Sequence, residues 1–278
     1  MPYRTKSELC REIVEIGRRV YDHFLVAAND GNISARLDDK TILITPTGVS
    51  KGFMSPQDIL KIKLNEYNQE RPSVQKSPAE TGSSLVTETD ILAVPFGGRF
   101  DVSGGALVTP LARQIAMERR VTLEERERLP VKNHRPSSET PMHLAIYRAR
   151  KDVQAVVHTH APSVTAFALS DVQLDEPLMP EVMAFIGPVA RVTYARPGTE
   201  ELPQAMAPYL LDHDVFLLDN HGAVTVGRSL EDAYFQMERL ELYARIRLAA
   251  LELGPARTLS PGEVERLTAI WKSSRKRR

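Results

Sequence analysis

The run Val156-Val157-His158-Thr159-His160 constrains this chain more than any other stretch. β-branched residues read as a strand, and alternate residues of a strand leave the same face, so His158 and His160 project side by side. That is how a strand offers two ligands to one metal ion. A third candidate lies in Leu217-Leu218-Asp219-Asn220-His221-Gly222-Ala223, an apolar run interrupted by a turn-forming Asn-His-Gly, and a carboxylate stands upstream in Pro136-Ser137-Ser138-Glu139. Zinc takes about four imidazole, thiolate or carboxylate ligands, and a catalytic zinc keeps one position open. The expected cofactor is therefore one Zn²⁺ per subunit on His158, His160 and His221. Glu139 is a fourth ligand at rest that leaves when substrate arrives and then serves as base. An ion there polarises a carbonyl and stabilises the enediolate formed by deprotonating the adjacent carbon, the chemistry of aldol cleavage and its relatives. His23, His134, His143 and His213 have no such context and read as surface or packing residues, His143 standing apart because it lies one helical turn beyond Glu139.

Composition narrows the class. A chain of 278 residues, 42% hydrophobic and 26% charged, is expected to form one domain over 1–278 with a sizeable core. Lys plus Arg equals Asp plus Glu at 36 each, so the overall charge favours neither nucleic acid nor an anionic membrane surface. No apolar run approaches the roughly 20 residues that span a bilayer. The single Cys10 excludes an intrachain disulfide framework and the N-terminus lacks a signal-peptide core, so a reducing cytoplasm is the expected compartment. The basic run Arg275-Lys276-Arg277-Arg278 reads as part of a solvated, mobile tail over 272–278.

Leu9, Ile13, Ile16, Val20 and Phe24 recur at helical spacing and predict an amphipathic helix from about Ser7 to Val26. Two short strands follow at 33–36 and 41–45, then a loop of small residues from Pro46 to Gly52, in which Lys51 reads as solvated. Residues from about 65 to 135 look inserted. Glu66 to Val86 shows no sustained periodicity and reads as partly disordered, while Leu107 to Leu129 has room for a helix or two. Regular structure resumes with Ser138 as N-cap of a helix to Arg150, a strand at 153–158 and a helix begun by Pro162. A strand at 189–194, a helix at 200–211, strands at 215–218 and 223–226, a long helix opened by the Ser229 capping box, and a last helix from Ser260 complete the alternation. Strands interleaved with helices predict an α/β layered fold with a central mostly antiparallel or mixed β-sheet flanked by helices.

Gly31-Asn32, Thr47-Gly48 and Ser137-Ser138 fall in loops or at helix starts, and together they supply backbone N–H groups, an amide and hydroxyls. That is the kit for holding a phosphate, and a helix dipole at Ser138 would favour the anion.

Asp30-Gly31-Asn32-Ile33-Ser34, Ile44-Thr45-Pro46-Thr47-Gly48, Pro136-Ser137-Ser138-Glu139, His158-Thr159-His160 and Asn220-His221-Gly222 fall in the order of the class II aldolase/adducin family. The chain resembles its L-fuculose-1-phosphate aldolase branch most, over about 7–63 and 135–271. The resemblance implies zinc-dependent retro-aldol cleavage of a small ketose 1-phosphate into dihydroxyacetone phosphate and an aldehyde, by a homotetramer with sites at subunit interfaces. It assigns zinc to His158, His160 and His221 and phosphate to Asn32, Thr47, Gly48, Ser137 and Ser138. It assigns proton transfer to Glu139, where the related ribulose-5-phosphate 4-epimerases carry an Asp. The alternatives are a sugar-phosphate epimerase or decarboxylase of the same family, or a non-catalytic adducin-like scaffold, which should have lost the metal ligands that this chain keeps. Two positions depart from the aldolase pattern: Met179, with no Tyr beside it, stands near the Tyr that those enzymes lend as an acid from a neighbouring subunit, and no Tyr follows Trp271. Glu181 is the carboxylate placed to substitute.

Overall fold

Thr5 starts the first helix by a reciprocal cap: its hydroxyl accepts from the Glu8 N–H at 3.2 Å while its own N–H donates to the Glu8 carboxylate at 2.7 Å. Helix α1 (Lys6–Asp22) buries Leu9, Cys10, Ile13, Ile16 and Val20. It stops short of the expected Val26 because Phe24 turns left-handed at φ 57° and the Leu25 N–H returns to the Val20 carbonyl at 2.9 Å. The computed structural model describes residues 4–65, 85–102, 107–125 and 134–276, and the chain divides into two compact units, Met1–Tyr67 with Asn133–Arg278, and Asn68–Lys132.

In chain order the first unit continues with β1 (Asn32–Asp38), β2 (Thr41–Ile44) and β3 (Leu60–Lys63). The second unit holds β4 (Leu85–Val86), α2 (Glu88–Leu92), β5 (Arg99–Val102), β6 (Leu107–Val108), α3 (Pro110–Glu118) and β7 (Thr122–Glu125). There β4 pairs with β6 and β5 with β7, both parallel, around Val86, Ile91, Val94, Val102, Val108, Ala112, Ala116 and Val121. Among the described residues one helix falls in 107–129, within the expected one or two, and part of the charged stretch after it is strand. The expectation of disorder falls largely on residues 66–84, which lie outside the described residues.

The first unit resumes with α4 (Thr140–Ala149), β8 (Ala155–Thr159), α5 (Pro162–Ala168), β9 (Val189–Val192), α6 (Glu201–Met206), β10 (Val215–Leu218), β11 (Gly222–Gly227), α7 (Leu230–Leu253) and α8 (Pro261–Lys276). Ser138 is not the N-cap of α4: the helix begins two residues later, at Thr140, whose N–H and hydroxyl both donate to the Ser137 carbonyl, at 3.0 and 2.6 Å. Ser138 is left exposed. The Ser229 cap is present, its hydroxyl accepting from the Asp232 N–H at 3.0 Å, but the Asp232 carboxylate reaches the Arg228 N–H instead of closing the box. The basic tail is helical as far as Lys276, and Arg275 is docked, donating to Asp214 at 3.2 Å and to the Leu211 carbonyl.

Among the described residues seven strands form one sheet in the order β3-β2-β1-β8-β11-β10-β9, antiparallel throughout except for the β9–β10 edge pair. The His-bearing strand β8 is thus the middle strand, and all five of its residues are buried. One face packs Ile33, Val157 and Leu217 with α1, α5 and α7, and the other packs Val156, Phe216 and Val224 with α4 and α6. By period-two alternation His158 shares the α4 face with Val156. Register does the rest: Asn32 of β1 and Val224 of β11 lie directly opposite His158.

Candidate active site

Three elements bring the carboxylate and the imidazoles together: the start of α4, the end of β8, and the turn between β10 and β11. Glu139 is the residue before α4, buried, with Oε2 3.0 Å from His158 Nε2 and Oε1 3.2 Å from His221 Nε2. His160 completes the triangle, with ring centroids 5.1 Å from His158 and 5.0 Å from His221. The turn that delivers His221 uses Asn220 at φ 57°, a left-handed conformation that Asn tolerates better than most side chains, and Gly222. A Cβ on Gly222 would stand 2.5 Å from the Thr159 carbonyl and 2.9 Å from His160 Cδ2, so only Gly lets the turn lie against the His160 ring.

The donor set fits a metal ion. One ligand atom from each of His158, His160 and His221 lies within 4.8 Å of the others. Among the described residues His158 Nε2, His160 Nε2 and Glu139 Oε1 are buried without a well-aligned hydrogen bond, although the carboxylate stands 3.0 Å from His158 and 3.2 Å from His221, a costly state unless something else engages them. His158 also carries the support that metal-binding imidazoles need: its Nδ1–H donates to the Ala223 carbonyl at 2.9 Å, which leaves Nε2 as the lone-pair nitrogen of the neutral ring. Asp30 faces His160 Nδ1 from 3.7 Å.

The charge balance is local. Burial works against ionised Glu139, but His158, His221 and the Asn32 amide outweigh it and hold the carboxyl far below the ordinary range. Burial and the His158 field lower His221 to about 4, and the same two causes lower His160. Burial opposes a charge on His158 as well, yet Glu139 beside it raises its pKa.

The expected phosphate residues divide. Thr47 and Gly48 are exposed in a loop tied to the segment that leads into α4, with Pro46 bridged to Pro136 and the Thr47 N–H donating to the Arg135 carbonyl at 2.9 Å. This brings them to the side of the Ser137-Ser138 loop. Gly48 has φ +72° and open space where a side chain would stand. Ser137 is buried, its hydroxyl accepting from the Glu139 N–H at 3.3 Å. Asn32 is deeper: it is buried, and its amide donates to Glu139 Oε2 at 2.7 Å. Lys51 is not the solvated lysine expected of a loop. It is 1% exposed, and its ammonium donates to the carbonyls of Asn29 and Val49, both at 3.0 Å.

Met179 packs half-buried against the core, and Glu181 is exposed at the start of a π-helical turn, Val182–Ile186. His143, read from the sequence as a surface or packing residue that stands apart for lying one turn beyond Glu139, is placed beside the site. It is fully buried and bonded to Asn32 and Ser34. The available signal was spacing, since Glu139, His143 and Tyr147 recur every four residues on one face of α4.

The family model described as class II aldolase and adducin N-terminal domain matches residues 11–94 and 99–248. The chain belongs to this family. It is 38% identical over 268 residues to a 3-oxo-tetronate 4-phosphate decarboxylase of Escherichia coli O6:H1, covering 95% of this chain and 97% of that one. It is 27% identical over 241 residues to an L-fuculose phosphate aldolase of Methanocaldococcus jannaschii, covering 87% of this chain and 96% of that one. A solved L-fuculose 1-phosphate aldolase shares the fold at a TM-score of 0.64 and 23% identity, over 98% of this chain and 100% of the other.

Proposed function

We propose that this chain is a metal-dependent carbon–carbon lyase acting on a small phosphorylated keto compound, with His158, His160 and His221 as metal ligands and Glu139 as the proton-carrying group. The observation that carries the reading is the convergence of three imidazoles, one ligand atom of each within 4.8 Å of the others, on a buried carboxylate. A divalent cation held there would supply positive charge against the negative charge that develops on the substrate's carbonyl oxygen. Thr47, Gly48, Ser137 and Ser138 would hold the phosphate from the two tied loops, and Glu139 would hold or release the proton at the carbon next to the carbonyl.

Of the two cleavages the family relatives carry out, decarboxylation of a phosphorylated 3-oxo sugar acid is the better supported. Loss of CO₂ breaks the bond to the carboxylate carbon, leaves its electron pair as an enolate, and needs afterwards only one proton delivered to carbon. Aldol cleavage needs in addition a group to exchange a proton with the departing aldehyde oxygen, and the position near the aldolase Tyr is occupied by Met179. The 38% identity to a decarboxylase over 95% of the chain points the same way. Cleavage of a ketose 1-phosphate is the second reading, favoured by the L-fuculose phosphate aldolase relatives and by Glu at 139. The site also carries the expectation of zinc, of a homotetramer and of a reducing cytoplasm; among the described residues no helix is long and apolar enough to cross a membrane.

Metal analysis of the purified protein, run beside assays for CO₂ release from 3-oxo-tetronate 4-phosphate and for dihydroxyacetone phosphate release from ketose 1-phosphates, tests the reading. The expected result is about one metal per chain, CO₂ release from the oxo acid, and neither in His158→Ala. Dihydroxyacetone phosphate release alone would move the assignment to the aldolase, and a chain that takes up no metal would end the lyase reading.

A further inference from the structure

The α4 face behind Glu139 meets β1 residue for residue. Two strand residues advance about 6.6 Å and four helix residues about 6.0 Å, so Asn32, Ser34 and Arg36 keep step with Glu139, His143 and Tyr147 when the two elements run alongside. The contacts follow that register. The Asn32 amide donates to Glu139 Oε2 at 2.7 Å, and its carbonyl oxygen meets His143 Nε2. Ser34 Oγ lies 2.6 Å from His143 Nδ1 and 3.0 Å from the Tyr147 hydroxyl. Arg36 donates to the Tyr147 carbonyl at 2.8 Å, and its guanidinium stands over the Tyr147 ring at 4.9 Å. Asn32, Ser34, His143 and Tyr147 are all buried.

A chain of hydrogen bonds this closed has one direction that works. A carboxylate accepts only, so Asn32 must turn its NH₂ toward Glu139 and its oxygen toward His143. That oxygen needs a donor, so His143 carries its proton on Nε2 and presents a bare Nδ1. Ser34 must then donate to Nδ1, which leaves the Tyr147 hydroxyl to donate to Ser34. With the opposite tautomer every bond reverses, and the Asn32 carbonyl would face the Glu139 carboxylate, two acceptors in contact in a dry interior. Burial, together with the field of His158 and against the pull of Glu139, lowers His143 to about 3, in keeping with a neutral ring.

We propose that His143 is a positioning residue for the reaction. Held in its neutral Nε2–H form by Ser34 and Tyr147, it fixes the Asn32 carboxamide with its NH₂ toward Glu139, so that Oε2 is tethered beside His158 and Oε1 is turned toward His221. This rests on the reading of Glu139 as the proton-carrying group, but its structural half is tested without substrate.

The first readout is the ¹⁵N spectrum of the histidine side chains in the full-length protein. It is expected to show His143 as a neutral Nε2–H ring throughout the neutral pH range, with its Nδ1 signal moved in Ser34→Ala; an Nδ1–H tautomer or a titrating ring overturns the proposal. The second is kinetic. His143→Leu is expected to lower kcat about tenfold or more, as loss of a supporting hydrogen bond does around metal sites, while His143→Gln, which keeps an N–H donor, restores most of it. In a Glu139→Gln background the His143→Leu step is expected to cost less than about twofold, because the group being positioned is gone. Equal losses in both backgrounds would show His143 to be a core residue only. Tyr147→Phe, which removes one hydroxyl and keeps the ring, serves if His143→Leu fails to fold, with a several-fold smaller kcat loss expected and no loss counting against the relay. If the spectrum reads as expected but no substrate turns over, the functional reading fails and the hydrogen-bond chain stands.

Discussion

Helix α4 ends in a buried polar cluster at both termini, and the two are built on opposite principles. At its C-terminal end Arg150, 7% exposed, spends its guanidinium completely: it reaches Asp152 at 3.0 and 2.6 Å, Asp214 at 2.8 Å, and the carbonyls of Leu210 and His213 at 3.3 and 3.0 Å. At its N-terminal end Glu139 Oε2 accepts from Asn32, but among the described residues neither its Oε1 nor Nε2 of His158 and His160 has a well-aligned hydrogen bond, the carboxylate standing 3.0 Å from His158 and 3.2 Å from His221. The charges suit the helix in both cases, an anion at the start and a cation at the end. The difference lies in satisfaction. A cluster that only stabilises closes its hydrogen bonds, whereas one that binds must keep lone pairs buried and aimed at a common point, and it costs the fold something to do so.

The sharpest way to break this comparison is to disable each end. Glu139→Gln is expected to lower kcat by about 10²- to 10⁴-fold, the usual loss for a removed acid–base group. Its urea midpoint should fall by less than that of Arg150→Met, since the isosteric Gln keeps the place of the carboxylate and burial already opposes the charge that is lost. Arg150→Met is expected to weigh on the fold and spare the chemistry. It takes away the 2.8 Å partner of the buried Asp214 carboxylate and costs about 3 kcal/mol in urea unfolding, with kcat of the folded enzyme within about twofold of wild type. A Glu139→Gln as destabilised as Arg150→Met, or an Arg150→Met as stable as wild type, would remove the distinction.

Lys51 lies between the two cases, a buried ammonium with two carbonyl partners. Burial lowers it from 10.5 to about 8, while Asp30 and Glu139 pull upward. Between those values the unfolded chain holds a proton that the native one has lost, so stability is expected to rise as pH climbs from about 8 toward 10.5. Urea midpoints across that range should show an upward slope in wild type that flattens in Lys51→Met. A downward slope would mean that the carbonyl bonds outweigh burial. This effect should be at most of the same order as that of Arg150→Met, about 3 kcal/mol across the range.

Where a signal was local, the sequence was enough. Strand β8 and the β10–β11 pair were legible from β-branched and apolar runs, α7 from Ser229 and the spacing of Leu230, Ala233, Met237, Leu240 and Ala244, and the His158–His160–His221 grouping from period two and a turn. Where the outcome depended on what packs against a residue, it was not. Lys51 looks like any loop lysine until the Asn29 and Val49 carbonyls close over it. Ser138 has the chemistry of a cap, but the Ser137 carbonyl takes the Thr140 N–H and the helix starts later. His143 needs β1 beside α4 before its neighbours exist, and Arg275 needs Asp214 from a strand edge far along the chain. The start of α5 makes the same point: its N–H groups at Ser163 and Val164 are capped at 3.0–3.1 Å by Glu241 of α7, a partner 77 and 78 residues away.

Ser137 is where the two principles meet, and it gives the finest test. Its hydroxyl caps the Glu139 N–H, which belongs to satisfaction, but at 3.3 Å that bond is long and leaves the oxygen's proton for another acceptor. A helix cap of good geometry is worth about 1 kcal/mol, so a long one should be worth less. A hydroxyl donating to a phosphate is worth roughly 1.5 kcal/mol or more, because the acceptor is charged. Ser137→Ala is therefore expected to shift unfolding stability by less than about 1 kcal/mol while raising KM for a phosphorylated substrate about tenfold, with kcat nearly unchanged. The unphosphorylated analogue separates the causes. If its KM rises by the same factor, the loss comes from a displaced Glu139 and not from the phosphate, and Ser137 belongs with Arg150 among the groups that only hold the fold.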